Sequence, residues 1–152
     1  MVKPLIPNRA HLEKNLQIKK SSIPGSGMGL FTSIDIKKNT VITEFYGEKI
    51  SHTIAAARSI LNKSNSILCY NKTYCIDSTI DKNCLATFMN DANGVIKKTE
   101  IKNNVYMLVA NGRIYVIAKR SIKCGEELFM SYGTNYWKRM KNHKLLNIPQ
   151  KE

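Results

Sequence analysis

The chain has 152 residues, 43 % hydrophobic and 23 % charged, proportions that exclude a disordered tail or a fibrous protein and suit one domain around a single core. Its formal net charge of +13 calls for an acidic partner, whether nucleic acid, anionic lipid or an acidic protein. No window is apolar for long enough to span a membrane, and "MVKPLIPNRAHLEKNLQ" at the start holds no apolar run of signal-peptide length, so the expectation is a soluble, intracellular protein.

The basic excess gathers near the two ends, at Lys3, Arg9, Lys14, Lys19 and Lys20 and at Lys138, Arg139, Lys141, Lys144 and Lys151. Next comes "IPGSGMGLF", residues 23–31, with Gly25, Gly27 and Gly29 on alternate positions. A glycine there either permits positive φ in a tight turn or lets a ligand approach the backbone where a β-carbon would stand. "GLFTSIDIKKNTVITEFYGEKIS" reads as two strands around the turn "KKN", with Val41, Thr43 and Phe45 alternating. "SHTIAAARSILNKS" reads as a helix capped by Ser51 or Thr53, with Ile54, Ala57 and Ile60 at helical spacing. "SILCY" and "YCIDS" face each other across "NKT", and "NVYMLVANGRIYVIAKRSI" turns at "NG"; both read as hairpins. The expected class is therefore mostly β with short helices.

Cys69, Cys75, Cys84 and Cys124 show neither a CxxC pair nor a Cys/His ligand spacing, and His11, His52 and His143 are scattered through polar segments. The spacing predicts no metal site, and in a chain without an export signal it predicts reduced thiols.

Two further runs carry chemistry, "LATFMNDANG" at residues 85–94 and "KCGEELFMSYGTNYW" at residues 123–137. Alone, an Asn-Asp pair before glycine marks a turn, and a tyrosine after a strand marks core. In order, however, a Gly-x-Gly, a Phe-x-Asn and a Gly-Glu-Glu-Leu followed by Tyr-Gly resemble the SET domain of protein lysine methyltransferases. The resemblance runs from Ile23 to Trp137 and takes in "ITEFYGEKIS" and "IYVIAKRSIKCGEEL". It implies a fold of several small β-sheets in which the chain after Gly-Glu-Glu-Leu threads beneath an earlier segment as a C-terminal pseudoknot, an exception to the rule that connections avoid threading. It also implies a basic N-terminal extension over 1–22, a SET domain over 23–137 and a basic tail over 138–152.

The resemblance implies S-adenosylmethionine as cofactor, held by the backbone of Gly27, Met28, Gly29 and Leu30 and by the Asn90 amide, whose donors and acceptor suit a zwitterionic amino-acid end. Asp91 replaces the family histidine and would meet adenine through its backbone. Tyr132 matches the tyrosine that aligns the lysine amine with the methyl group. No cysteine triplet follows it, so the resemblance gives no zinc-binding module there; Tyr136 and Trp137 either cover the cofactor or simply pack. Other departures are Thr87 for arginine, Ser131 for an acidic residue, Met130 near the aromatic position that tunes methyl number, and "ANGVIKKTEIKNN" for the usual Ser-Cys-x-Pro-Asn, with Asn104 where the strand resumes. Glu126 and Glu127 read as turn formers or acceptors of backbone hydrogen bonds, and Asp77 as a strand-end residue. A dinucleotide or kinase loop fits poorly, because "GSGMGL" lacks the third glycine in place.

Histones are the substrate class implied by analogy, with chromatin and the nucleus as the setting and nonspecific DNA contact through the basic ends. The alternative is a catalytically silent SET-fold module that binds chromatin or nucleic acid. Nothing in the sequence assigns an oligomeric state.

Overall fold

A computed structural model describes residues 10–61, 66–94 and 100–146. In chain order the first half holds α1 (Ala10–Glu13), β1 (Leu16–Lys20), β2 (Met28–Thr32), β3 (Val41–Phe45), β4 (Glu48–Ser51), α2 (His52–Ile60), β5 (Ile67–Cys69) and β6 (Tyr74–Asp77). A 3₁₀ turn (Leu85–Phe88), β7 (Val105–Ala110), β8 (Arg113–Ala118) and α3 (Thr134–Leu146) follow. The strands form three small sheets, ordered β1-β2, β3-β8-β7 and β4-β6-β5, and all their pairings are antiparallel.

Both expected hairpins are present. β7 and β8 pair from Val105↔Ala118 to Ala110↔Arg113 around Asn111 and Gly112, which take φ of 52° and 72°, the double positive φ of a tight hairpin turn. β5 and β6 pair with Cys69 opposite Cys75.

The two strands flanking "KKN" join different sheets, β2 pairing with β1 and β3 with β8. The alternation expected in β3 is absent because all five of its residues are buried. That strand has core on both faces: Ile42 and Phe45 pack with Ile114, Val116 and Leu128 in the main cluster, while Val41 packs with Tyr115 and Ile117 in a second. Burying each such side chain contributes roughly 1.5–3 kcal/mol. β1 falls within the basic stretch over 1–22, and its pairing with β2 makes it part of the folded sheet.

α2 begins where expected, with the Ser51 hydroxyl accepting from the Ile54 amide at 3.3 Å. Its buried face differs from the spacing-based expectation. Ile54 is 45 % exposed and Ile60 72 % exposed, Ala57 is also exposed, and Ala55 is the buried residue, packed with Ile50 and Cys75. A small side chain lets the helix lie close on its sheet, so the isoleucines are turned outward. α3 has no counterpart among the expected elements; it continues through residue 137 into the basic tail.

Two cysteines also depart from expectation. Cys69 and Cys75 are joined in a disulfide across the β5–β6 hairpin, while Cys84 and Cys124 are free thiols. Antiparallel register places the pair directly opposite each other, which no CxxC-type spacing signals.

The threading is built from the segment 127–130. Leu128 N donates to Leu30 O at 2.7 Å, Met130 N to Asn90 O at 2.9 Å, and Asn104 N and Val105 N donate to Phe129 O at 3.0 and 3.1 Å. A parallel bridge joins Asn90 to Phe129. The buried Asn104 side chain completes the seam, donating to Glu127 O and accepting from Phe129 N, both at 2.8 Å. One passage of chain thus meets β2, the residues after the 3₁₀ turn and the start of β7.

Candidate active site

The segment bonded to Leu30 and Asn90 brings the buried Glu127 carboxylate to the Asn90 side chain, and a second buried carboxylate, Asp91, follows Asn90 in the chain. Glu127, 5 % exposed, accepts from Ser21 Oγ at 2.7 Å, from Ser22 N at 2.8 Å and Ser22 Oγ at 2.7 Å, and from Asn90 Nδ2 at 3.3 Å. Asn90 Nδ2 also donates to Met28 O at 2.9 Å. A carbonyl and a carboxylate both only accept, so the orientation of the amide is fixed, with Nδ2 toward Met28 and Glu127.

This arrangement gives the glycine-rich loop two distinct reasons for its composition. Gly27 takes φ of +69° and has open space where a β-carbon would stand, so its conformation requires glycine. Gly29 is buried, and a β-carbon there would fall on the Glu127 carboxylate. At Gly29 the group that stands where a β-carbon would be is thus the Glu127 carboxylate. Met28 is 48 % exposed, whereas Leu30 is fully buried in the core with its carbonyl bonded to Leu128 N. Of the four positions expected to meet the cofactor, Gly27 and Met28 are therefore exposed and Gly29 and Leu30 buried.

Asp91, also 5 % exposed, gathers four donors. Oδ1 accepts from Asn93 N at 2.8 Å and Asn103 Nδ2 at 2.9 Å, and Oδ2 accepts from Tyr132 N and Trp137 Nε1, each at 2.8 Å. Burial alone would raise this carboxyl, but the bonds from Trp137, Tyr132, Asn103 and Asn93 outweigh it and hold Asp91 below the ordinary carboxylate value. Its whole carboxylate is engaged in joining the Asn90 segment to Tyr132 and α3.

Tyr132 stands between these hubs and a cavity. Its hydroxyl donates to Met89 O at 2.7 Å. Its ring stacks on Trp137 at 5.9 Å between centroids and meets Tyr136 edge-on at 4.9 Å, an arrangement favoured by aromatic quadrupoles. Trp137 in turn lies against Gly94. Burial pushes the Tyr132 phenol well above its ordinary value, and Tyr136, Asp91 and Glu127 add to the shift, so it is a neutral hydroxyl throughout the physiological range.

The cavity, about 110 Å³, is lined by Phe45, Leu68, Met89, Met107, Met130 and Tyr132 among others, with Ser66, Thr87 and Ser131 contributing hydroxyls. Met130 and Thr87, two of the departures noted in sequence, both line it. An apolar wall of this kind favours the neutral form of an amine over its ammonium.

Of the residues expected from sequence, Met28, Gly29, Asn90, Asp91, Tyr132, Tyr136 and Trp137 come together here. Glu126 lies apart, accepting from Arg120 Nη2 at 2.6 Å and Lys123 N at 2.6 Å at the surface. Asp77 ends β6 and bonds Arg58 Nη1 at 2.7 Å. Glu127 accepts a backbone amide as expected, but its reach to Asn90 and to the Ser21–Ser22 pair was not foreseen, nor was Asn103. Adjacent polar residues before a glycine loop and after an Asn-Asp turn are the only signals of either.

Comparison with known proteins places this geometry. The SET domain family matches residues 27–133. The N-lysine methyltransferase KMT5A of Xenopus tropicalis is 31 % identical over 126 residues, covering 76 % of this chain and 36 % of that protein. KMT5A-A of Danio rerio is 28 % identical over 119 residues, covering 73 % and 33 %. The chain thus spans about a third of these curated relatives. Among solved structures, ctPRC2 in an autoinhibited conformation bound to S-adenosylmethionine is similar with a TM-score of 0.64 and 26 % identity, over 86 % of this chain and 17 % of that one. A humanized mutant of the Chaetomium thermophilum Polycomb Repressive Complex 2 bound to an inhibitor gives 0.63 and 28 %, over 79 % and 15 %.

Proposed function

The chain belongs to the SET-domain family, and from that premise we propose that it transfers a methyl group from S-adenosylmethionine to the ε-amine of a protein lysine, with histones as the substrate class. The observation that carries this reading is Tyr132, which lines a cavity beside Phe45, Leu68, Met89, Met107 and Met130 while its backbone is tied to the residue following Asn90.

The donor set fits the cofactor. Asn90 keeps its amide oxygen for the ammonium of the amino-acid end because both its hydrogens are spent on Met28 and Glu127. Gly27 and Met28 are exposed residues beside it, with Met28 bonded to Asn90 directly. When bound, S-adenosylmethionine supplies an electrophilic methyl on a positively charged sulfur. Glu127 and Asp91 bring buried negative charge to both sides of Asn90, and their hydrogen-bond partners among the described residues are neutral. In a chain of net charge +13, such local negative charge draws a cationic ligand into the site.

The remaining work belongs to the cavity. A lysine of ordinary pKa is protonated at neutral pH, and removing its proton costs about 4–5 kcal/mol. Apolar walls from Phe45, Leu68, Met89, Met107 and Met130 lower that cost by disfavouring the ammonium. Tyr132, its proton committed to Met89 O, turns its oxygen lone pairs to the amine and holds it in line, a contribution made by orientation.

The basic surface suits nucleosomal DNA. Lys14, Lys19 and Lys20 are exposed at one end of the chain and Lys138 and Lys141 on α3; Lys3, Arg9 and Lys151 lie outside the described residues, as do the side chains of Arg139 and Lys144. A free basic tail would be repelled by the net charge, whereas DNA attracts it, so we expect nucleosomes to bind better than an isolated tail peptide and chromatin in the nucleus to be the working location.

The test is incubation with radiolabelled S-adenosylmethionine and a panel of histones and nucleosomes. Label in lysine supports the reading; a folded protein that binds nucleosomes without incorporating label would instead support a silent module. Binding should weaken by roughly tenfold or more between low and physiological salt, and further in Lys138→Gln with Lys141→Gln.

A further inference from the structure

Sequence spacing scatters the cysteines and histidines, but the β4-β6-β5 sheet gathers three of them. A ring nitrogen of His52 and the sulfurs of Cys69 and Cys75 lie within 4.8 Å of one another. His52 opens α2 directly after β4, Cys75 is central in β6, and Cys69 ends β5 opposite it.

We propose that, with the disulfide reduced, Cys69, Cys75 and His52 form a binding site for a zinc-class divalent cation, a fourth position being left to solvent. Three features support it. Tetrahedral zinc with bonds of ~2.3 Å to sulfur and ~2.0 Å to nitrogen needs its ligand atoms about 3.5–3.8 Å apart, a spacing reached from the present one by side-chain rotation once the sulfur–sulfur bond is open. Nε2 of His52 meets Asn71 O at 2.8 Å; a carbonyl only accepts, so Nε2 carries the hydrogen and the ring is oriented from outside, as metal-binding imidazoles are. Two thiolates and an imidazole are also the soft-to-borderline donor set that selects zinc over magnesium or calcium.

The chemistry balances with a thiol reductant. Two monothiols of the glutathione class give up two hydrogens and leave as their own disulfide, while the Cys69–Cys75 bond breaks into two thiols. The cation then displaces both thiol protons, forming two metal–sulfur bonds and one metal–nitrogen bond, so the two thiolates neutralise its charge. Disulfide and metal are mutually exclusive because both need the same two sulfurs.

The location gives the site a consequence. A groove outside the cavity is lined by His52, Ile67, Leu68, Cys69, Tyr132 and Tyr136, and Leu68 also lines the cavity itself. On the methyl-transfer reading, the state of the hairpin sets one wall of the approach to Tyr132; metal binding itself does not depend on that reading.

The test uses the full chain, reduced with dithiothreitol, freed of it anaerobically and titrated with Co²⁺ and then Zn²⁺. Neither cofactor nor substrate is needed. The wild type should develop a sulfur-to-cobalt charge-transfer band that saturates at a single equivalent and is bleached by Zn²⁺. Cys69→Ser and Cys75→Ser should abolish the band, His52→Ala should weaken binding by roughly tenfold or more, and Cys124→Ser should leave it unchanged. His52 and Cys69 are exposed, so those variants remain folded even if Cys75→Ser does not. No band in the reduced wild type, unchanged affinity in His52→Ala, or a band that follows Cys124 would each overturn the site.

Discussion

Glu127 and Asp91 are equally buried and lie on either side of Asn90, yet they hold different things in place. Glu127 gathers the chain before the glycine loop, taking three bonds from Ser21 and Ser22 and steering the Asn90 amide. Asp91 gathers the chain after the last motif, taking bonds from Tyr132 and Trp137 and from Asn93 and Asn103. One carboxylate shapes the proposed cofactor side and the other the aromatic side. A buried anion without a cation needs a full set of donors, so each hub can be broken separately and the two roles read apart.

The larger effect is expected at Glu127, because its loss removes the acceptor of four hydrogen bonds, one of them from the buried Ser21 hydroxyl, and opens a void against Gly29. Glu127→Ala should destabilise the fold by about 2–3 kcal/mol, and in the folded fraction calorimetry should find weaker S-adenosylmethionine binding. Unchanged stability and affinity would dissolve the distinction between the hubs.

Asp91→Asn keeps the shape of the second hub and removes its charge. It should cost about 1–2 kcal/mol in a thermal melt and slow methyl transfer, with a smaller loss of cofactor affinity than Glu127→Ala because the bonds that steer the Asn90 amide remain. The same hub is open to pH. A carboxyl held below its unfolded value adds stability above that value, about 3.9, and loses it as pH falls through the folded value. Trp137 fluorescence should therefore report release of the indole only below about pH 4, and the transition should vanish in Asp91→Asn. A transition at neutral pH would contradict the hub.

At the far end of the scale, Ile60→Ser on α2 should change stability by no more than about 0.5 kcal/mol, since that side chain is 72 % exposed. Ala55→Leu, by contrast, should be destabilising by about 1–3 kcal/mol because Ala55 is buried against Ile50 and Cys75. Urea titrations of both variants measure the difference.

These contrasts also mark what the sequence makes legible. Hairpins around "NG" and "NKT" and the Ser51 cap are local, so turn and cap chemistry reveals them directly. The helix face was misjudged because period alone does not say whether a bulky or a small residue meets the sheet, and the close approach of sheet and helix chose Ala55. The Gly-x-Gly, Asn90 and Tyr132 positions were readable through their order, but the partner of Gly29 was not, because Glu127 lies far along the chain and is brought to it only by the threading. The Cys69–Cys75 pair was missed for the related reason that cross-strand register, and not spacing, sets the distance between them.

The claim on which the functional reading rests is that the Tyr132 hydroxyl positions the amine and does not hold the cofactor. Tyr132→Phe keeps the stacked ring and removes only the bond to Met89 O, at a cost of about 1 kcal/mol in stability. The direct measurement is single-turnover methyl transfer to the best histone substrate, with a cofactor titration on the same preparation. The expected result is a rate lower by roughly 10²-fold or more with cofactor affinity unchanged, the signature of an interaction made in the transition state. A folded, cofactor-binding Tyr132→Phe that transferred at the wild-type rate would contradict it.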